Sequence, residues 1–222
     1  MKKIFLNIAL VAFVGTAVIA CKDNKKEATT GEEQDVVEAT ESASNYTVDT
    51  SKSVIMWKGE KPTGTHTGTI KLSGGTVAAT DRQLEAGNFT INMNSIENTD
   101  LEGESKANLE AHLKGTVEGK EGDFFNVNEY PEATFEITSI EGTQYEPLIK
   151  GNLTIKGKTN NIEFPATVSY PGNTIFLKSK KFMIDRTKWD VNYGSKSIFD
   201  NLGDKFINDE IEIQVELHAN KA

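Results

Sequence analysis

The sequence predicts an all-β domain, built as a sandwich or a closed barrel of about eight antiparallel strands. Two patterns carry this prediction. Apolar and polar residues alternate through successive short segments, which is the period of strands with one buried face. Turn residues separate those segments at regular spacing. A single segment has helical periodicity, so the predicted class is all-β with one short helix.

The start of the chain predicts a bacterial lipoprotein signal peptide over residues 1–20. Lys2 and Lys3 form a positive start, an apolar run follows, and Cys21 comes directly after that run. Cys21 is therefore the predicted lipid-carrying residue. An ordinary signal anchor with a stray cysteine is the alternative, and the apolar run is at the short limit for spanning a bilayer. The sequence thus predicts a lipid-anchored protein of the bacterial cell envelope, on the outer membrane facing the periplasm or on the cell surface.

Residues 21–44 are predicted to be a flexible, acidic linker, and residues 45–222 a single domain. The linker composition offers too little apolar surface to offset the entropy of ordering. Cys21 is the only cysteine, which excludes an intramolecular disulfide and a thiolate metal cluster. The formal net charge is −9, and an acidic chain without a basic cluster is a poor nucleic-acid binder.

The first half of the domain contains four predicted strand regions. Residues 46–49 and 53–57 form the first pair, and the Gly/Thr/Pro-rich residues 59–68 that follow are interpreted as a hinge. Residues 69–78 predict a hairpin with its turn at Gly74-Gly75. Apolar residues alternate with Asn and Thr through residues 88–94, which predicts a strand with one wet face.

The one predicted helix covers residues 104–115. Leu109 and Leu113 are spaced i,i+4, and Gly115 suits a left-handed C-terminal position. A helix this short needs a partner, so it is expected to pack on a sheet or on the mouth of a barrel. Pro131 then marks the boundary between a loop and a strand, in which Ala133, Phe135 and Ile137 share one face.

The second half of the domain is almost entirely strand. Residues 148–156, 159–169 and 174–184 are predicted strands, and a Tyr-Pro-Gly-Asn turn separates the last two. Residues 210–218 show the clearest alternation, with four aliphatic residues on one face and mostly glutamates on the other. Periodicity alone leaves the choice between sandwich and barrel open.

Catalytic and metal-binding patterns are sparse. His66, His112 and His218 are the only imidazoles, and their spacing matches no metal-ligand motif. No Gly-x-Ser-x-Gly motif is present, and the acidic residues fit the solvated faces of strands. These observations predict neither an enzyme nor a metal or cofactor site. The aromatic residues Trp57, Trp189 and Phe124-Phe125 fit a core at least as well as ligand contacts.

Three stretches resemble the signatures of the YceI-like family. They are residues 123–135, with two Phe and a Tyr-Pro leading into a strand, residues 151–159, with a Gly-x-Leu-Thr-x-x-Gly-x-Thr pattern, and residues 184–189, with an Arg and a Trp. The resemblance covers the chain from about Tyr46 to His218. It implies an extended, eight-stranded, lipocalin-like barrel with one short helix near its mouth, exported to the bacterial envelope.

The resemblance also implies an apolar tunnel that binds or carries an isoprenoid-chain lipid or a similar amphiphile. Carried over by position, the residues expected to contact such a ligand are Trp57, His66, His112, Phe124, Phe125, Phe135, Arg186 and Trp189. The expected partners are this lipid and the membrane reached by the anchor, and homodimerisation stays open. Two alternatives remain: a solid barrel that docks another envelope protein through a patch at Phe124, Phe125 and Tyr130, and an enzyme using His66 or His112 as a base.

Overall fold

The alternating segments form eleven strands and one α-helix in the computed structural model, which describes residues 28–222. The strands are β1 (Thr30–Gly31), β2 (Ser44–Val48), β3 (Val54–Lys61), β4 (Gly64–Thr80), β5 (Gln83–Asn98), β6 (Glu132–Gly142), β7 (Pro147–Ile155), β8 (Lys158–Ser169), β9 (Thr174–Ser179), β10 (Phe182–Asp185) and β11 (Glu210–Lys221). The helix α1 covers Gly103–Lys114, and two short 3₁₀ turns cover Arg186–Trp189 and Gly203–Lys205.

The sheet closes on itself as an antiparallel barrel. Consecutive strands pair from β3 to β9, β9 pairs with β11, and β11 returns to β3 through pairs such as Val215 with Ile55. β2 continues the line of β3 along β4 and β11, and β10 continues the line of β9 along β11. The ring therefore has eight strand positions, which confirms the predicted eight-stranded lipocalin-like barrel.

The predicted hinge and one predicted hairpin turn are wrong. Residues 59–68 are no hinge, because β3 and β4 pair without interruption up to Lys61 and Gly64 and form a tight hairpin. Gly74-Gly75 is no hairpin turn, because β4 continues through both residues beside β5 with a shift in register. Gly75 has φ +155°, and a Cβ there would lie 2.7 Å from the Asn88 carbonyl oxygen. The two glycines therefore mark a bulge in a long strand.

The two ends of the barrel differ. At one end, here called the mouth, lie the β3–β4 and β7–β8 hairpins, α1, the loop over residues 115–131 and the loop over residues 186–209. At the other end, here called the floor, lie the β4–β5, β6–β7 and β8–β9 turns. Side chains buried at the floor fill the barrel interior there; they include Val48, Val77, Ala79, Leu84, Ile175 and Ala219.

The N-terminal part of the described chain lies against the outside of the barrel. Ala28 donates its N–H to the Met183 carbonyl at 2.8 Å, and Thr30 pairs with Ile162, so β1 fills the seam between β10 and β8. The chain then crosses β7, β6 and β5 before β2 begins. We call residues 28–43 the strap.

Polar groups on the outer face of the barrel hold the strap. Asn152 is 2% exposed, accepts a hydrogen bond from the Gln34 N–H at 3.1 Å and donates one to the Gln34 carbonyl at 2.7 Å. Val37 donates its N–H to Ile137, and Thr40 donates its N–H to Glu85. The predicted flexible linker therefore does not extend to residue 44. Residues 28–43 bury little apolar surface, and hydrogen bonds of their backbone to the outer face of the barrel order them instead. Residues 21–27 of that prediction, Cys21 and the signal peptide lie outside the described residues.

Candidate functional site

The barrel encloses an apolar cavity of about 470 Å³ that opens at the mouth. Inward-facing residues of the eight ring positions form its walls. Along β11 the lining residues run from Ile211 near the mouth to Leu217, six positions deeper, which is roughly 20 Å of strand. The filled floor lies beyond Leu217, so the cavity is blind. Its aliphatic walls include Ile55, Leu72, Ile91, Met93, Ile96, Ile137, Ile149, Leu153, Ile162, Leu177, Ile184, Ile213 and Val215.

A row of four phenylalanine rings crosses the cavity wall. The ring centroids of Phe89 and Phe135 lie 6.3 Å apart, those of Phe135 and Phe164 5.6 Å, and those of Phe164 and Phe182 4.7 Å. Gly151 on β7 makes room for Phe135, because a Cβ on Gly151 would lie 2.3 Å from that ring. The first glycine of the Gly-x-Leu-Thr pattern is thus required by the aromatic wall.

Helix α1 and the loop after it cover part of the mouth. Leu109 and Leu113 line the cavity, and Gly115 ends the helix in the left-handed conformation with φ 69° and ψ 36°. The loop folds back on the helix: the N–H of Phe125 donates to Leu113, and that of Val127 donates to Lys114. The helix therefore packs on the barrel mouth, one of the two partners that its short length predicts.

His112 ties the helix to both mouth loops. Its Nε2 lies 2.7 Å from an Asp123 carboxylate oxygen, and its ring makes edge contacts with Phe124 and with Tyr193, at centroid distances of 5.0 and 4.9 Å. Phe124 is 7% exposed. The interaction-protein alternative required Phe124 to be an exposed docking residue, and its burial beneath His112 and Tyr193 contradicts that part of the hypothesis.

Arg186 is a buried cation that fixes the loop over residues 186–209. Its guanidinium donates to the carbonyls of Val191, Ile207 and Asn208 at 2.5, 3.2 and 3.1 Å, and it lies 3.6 Å from Asp209. Burial lowers the pKa of Arg186, while the nearby Asp209 and Asp185 oppose that shift. The guanidinium borders the cavity, but its donors are engaged by backbone carbonyls, so its observed contacts position this loop.

The two tryptophans differ in their polar contacts. Trp189 is fully buried and donates its indole N–H to the Leu153 carbonyl at 2.8 Å. Trp57 packs its ring over Gly68, where a Cβ would lie 2.4 Å from the ring. The indole N–H of Trp57 is buried and has no hydrogen-bond partner within the described residues. A buried donor without an acceptor is destabilising.

His66 belongs to a polar cluster at the join between the barrel and α1. Its Nδ1 lies 2.9 Å from Asp100, which also accepts the Thr67 N–H at 2.7 Å and the Asn98 side-chain amide at 2.6 Å. Burial raises the pKa of Asp100, but the hydrogen bonds from Thr67, His66 and Asn98 outweigh it and hold the pKa at about 2. The cluster fixes the rim of the mouth between β4 and β5.

All eight residues that the resemblance implied as ligand contacts line this one cavity. Their role in binding stays a prediction. The cavity itself contradicts the alternative of a barrel filled by its own side chains. Sequence reasoning missed polar and aromatic rim residues, namely Glu60, Lys61, Tyr193, Lys205 and Asn208. Glu60 and Lys61 were missed because the sequence pattern of residues 59–68 indicates a hinge, whereas these residues form a hairpin at the mouth. The other three were missed because the loop over residues 186–209 has no periodic pattern.

Within residues 28–222, no group of three or more His, Cys, Asp or Glu side chains is placed to hold a metal ion. None of the helices described there is long and apolar enough to span a bilayer.

Comparison with known proteins gives consistent matches. The YceI-like domain model matches residues 46–219. Among curated proteins, Protein YceI of Salmonella arizonae is 32% identical over 108 residues, and a UPF0312 protein of Pseudomonas paraeruginosa is 34% identical over 84 residues. These matches cover 48% and 38% of this chain and 50% and 38% of the relatives, so the chain spans half or less of their length.

Two solved structures share the fold. BcnA of Burkholderia cenocepacia superposes with a TM-score of 0.59 at 25% identity, over 78% of this chain and 99% of BcnA. A polyisoprenoid binding domain from Saccharophagus degradans superposes with a TM-score of 0.56 at 12% identity, over 80% of this chain and 98% of that domain. Both likenesses extend over nearly the whole of the other protein.

Proposed function

The chain belongs to the YceI-like domain family, and from this membership and the cavity we propose that it binds or carries an amphiphilic lipid with a long isoprenoid or fatty chain. The observation that carries the proposal is the blind apolar cavity, with its lining of aliphatic and phenylalanine side chains. A fold neighbour described as a polyisoprenoid binding domain supports the same ligand class.

The geometry favours a single chain inserted with its apolar end first. The walls run roughly 20 Å from Ile211 to Leu217 without a polar side chain among the β11 lining residues. Each methylene moved from water into such a cavity contributes about 0.8 kcal/mol, so binding needs few polar contacts. Polar lining residues are concentrated at the mouth, where Glu60, Lys61 and Lys205 lie, so the polar end of the ligand is placed there. The indole N–H of Trp57, which finds no acceptor among residues 28–222, suits a ligand that supplies an oxygen acceptor.

The test is native mass spectrometry of the chain over residues 22–222, prepared without detergent, followed by solvent extraction of any added mass. We expect a discrete adduct that extracts as a polyprenyl or fatty species. Ala133 faces the cavity on β6, whereas Glu136 on the same strand is exposed on the outside. Ala133→Phe should displace the adduct, and Glu136→Phe, which adds an equally large ring outside the barrel, should retain it. An adduct that survives both changes equally would contradict the proposal.

We further propose that the protein is held in the bacterial envelope by a lipid on Cys21. The supporting observation is the position of Cys21 directly after the apolar run that begins at Ile4. Metabolic labelling with a fatty-acid analogue should label the wild-type chain and should fail with Cys21→Ser. Label retained by Cys21→Ser would overturn the anchor while leaving the lipid-binding proposal intact.

A further inference from the structure

The loop over residues 186–209 exposes an unusual concentration of apolar side chains. Tyr193, Ile198 and Phe199 are 42%, 51% and 48% exposed. They are three of the five large apolar side chains that are most exposed within residues 28–222, and they lie within seven positions of one another. The other two are far from this loop: Val36 lies on the strap, and Tyr145 lies at the floor with its ring against Tyr170. A concentrated apolar patch of this kind marks a contact surface.

This patch is continuous with the cavity mouth. Tyr193 lines the cavity and also contacts His112 and Phe124 beneath it. Val191 and Ile207, which flank the exposed part of the loop, line the cavity too. The base of the loop is held by Arg186 through the three carbonyls described above, and Ile207 donates its N–H to Gly194 at 2.8 Å. The exposed segment is therefore carried on a fixed base at the rim, and one of its three residues, Tyr193, also lines the cavity.

The first described residue, Ala28, contacts the barrel beside the same loop. Ala28 is bonded to Met183 on β10, and β10 ends at Asp185, where the loop begins. Only six residues separate Cys21 from Ala28, and the seven residue-to-residue steps between them span at most about 25 Å when fully extended. A membrane anchor at Cys21 would thus hold the mouth end near the bilayer, while the floor lies at the far end of the barrel.

From these placements we propose that Tyr193, Ile198 and Phe199 insert into the membrane interface and dock the cavity mouth on the bilayer. Tyrosine and other amphipathic or apolar side chains are the residues that settle at that interface. The inference rests on the proposed envelope location and adds the surface through which the barrel meets the lipid. It commits to a lipid bilayer as the occupant of the patch.

The test places a tryptophan at each end of the barrel in the full chain, reconstituted into vesicles through its N-terminal segment. Phe199→Trp probes the patch, and Tyr145→Trp probes an equally exposed aromatic residue at the floor, 48% exposed in both cases. The vesicles contain phosphatidylcholine brominated near the headgroup, which quenches tryptophan fluorescence on contact. The signal of Trp57 and Trp189, measured in the unsubstituted chain, is subtracted.

We expect quenching at position 199 to be at least twofold stronger than at position 145. Adding Ile198→Ser to Phe199→Trp should reduce the quenching, because the neighbouring side chain inserts with it. Equal quenching at the two positions, or an unquenched position 199, would overturn the proposal, and the latter is the result expected of a protein-facing or self-associating loop. Thermal melts that match the unsubstituted chain establish that each variant is folded.

This result is separable from the proposed function. Native mass spectrometry reports the content of the cavity, and quenching reports the docking of the mouth. An empty cavity together with quenching at position 199 would remove lipid binding and leave docking in place. A filled cavity without that quenching would do the reverse.

Discussion

Single residues at the mouth determine which parts of the barrel are fixed. Arg186 illustrates this. Its side chain is 3% exposed, and its guanidinium donates to three backbone carbonyls of one loop and lies near the Asp209 carboxylate. Removing one member of a buried, hydrogen-bonded charge pair leaves the remaining groups without partners. The contacts of Arg186 therefore fix the position of the whole loop.

We expect Arg186→Met to lower the free energy of unfolding by about 3 to 5 kcal/mol, because Asp209 and three carbonyls lose their partner. Denaturant unfolding monitored by circular dichroism measures the change. Lys188→Met is the matched control, since Lys188 lies in the same 3₁₀ turn, is 53% exposed and pairs with Asp185 only at 3.9 Å. The control should change stability by about 0.5 kcal/mol or less. Equal decreases in the free energy of unfolding in the two variants would show that the buried contacts of Arg186 do not stabilise the fold.

Asp100 makes stability depend on pH in the acid range. Its pKa is about 2 in the folded protein, below the ordinary value of about 3.9 in an unfolded chain. The stabilisation is therefore fully present above pH 4 and is lost as the pH falls through 2. The difference in unfolding free energy between wild type and Asp100→Asn should be constant near neutrality and shrink between about pH 4 and 2. A difference that does not change across that window would contradict this assignment.

At the scale of whole elements, the strap is the feature that the sequence pattern did not predict. Its residues are mostly polar, and its partners lie far along the chain, 45 positions away for Thr40 and Glu85 and 118 for Gln34 and Asn152. A local period cannot reveal such contacts. On the outer face, the side chain of Asn161 donates hydrogen bonds to Thr138 and to Asn152. Local alternation predicts such polar residues on a solvent-exposed face, and only the strap reveals that Asn152 is buried.

Asn152→Ala should release the middle of the strap. The substitution removes both side-chain bonds to Gln34 and leaves buried groups unpaired, a loss of about 1 to 3 kcal/mol. Amide hydrogen exchange should accelerate at Gln34 and Val37, while the amides of β6 and β7 keep their protection. Asn88→Ala, on an exposed position of β5, is the control. Unchanged protection at Gln34 in Asn152→Ala would show that Asn152 does not hold the strap.

The strands show which structural features the local sequence pattern predicts and which it does not. The alternation of β6 and β11, the boundary at Pro131 and the helix end at Gly115 follow directly from local rules, and the structure confirms them. Gly74-Gly75 misled because a glycine pair has the same local signature in a hairpin turn and in a bulge. What separates the two is the partner strand, because the Asn88 carbonyl oxygen lies only 2.7 Å from the position that a Cβ on Gly75 would take.

At the scale of the molecule, the choice between sandwich and barrel required information that no local pattern carries. Closure depends on the pairing of β3 with β11, which brings Ile55 beside Val215. The family resemblance supplied the barrel and eight of the residues that line its cavity. The rim was harder, because Tyr193 and Lys205 lie in a loop whose course depends on the buried Arg186. Their place at the mouth follows from the fold of that loop.

The floor of the cavity is expected to set the longest chain that the barrel accepts. Leu177 on β9 and Leu217 on β11 are neighbours on adjacent strands, and both line the deep end of the cavity. Leu177→Trp should fill the deepest part and shift bound lipids to shorter chains. Extraction and mass spectrometry of the ligands measure this shift. Trp in place of Thr167, on the outward face of the neighbouring strand β8, should leave the distribution unchanged. A shift in neither variant would show that ligands do not reach the floor.

The filled floor has one further consequence, which concerns how a lipid enters and leaves the cavity. A cavity with a single opening loads and unloads at the same place, so the protein cannot work as a conduit through which lipid enters at one end and leaves at the other. Each molecule delivered elsewhere requires the mouth to leave one surface and meet the next, with the cargo still inside. With the anchor proposed at Cys21, the rate of any transfer would be governed by reorientation of the barrel about that anchor, and the length of chain between Cys21 and Ala28 would limit how far apart the two surfaces can be.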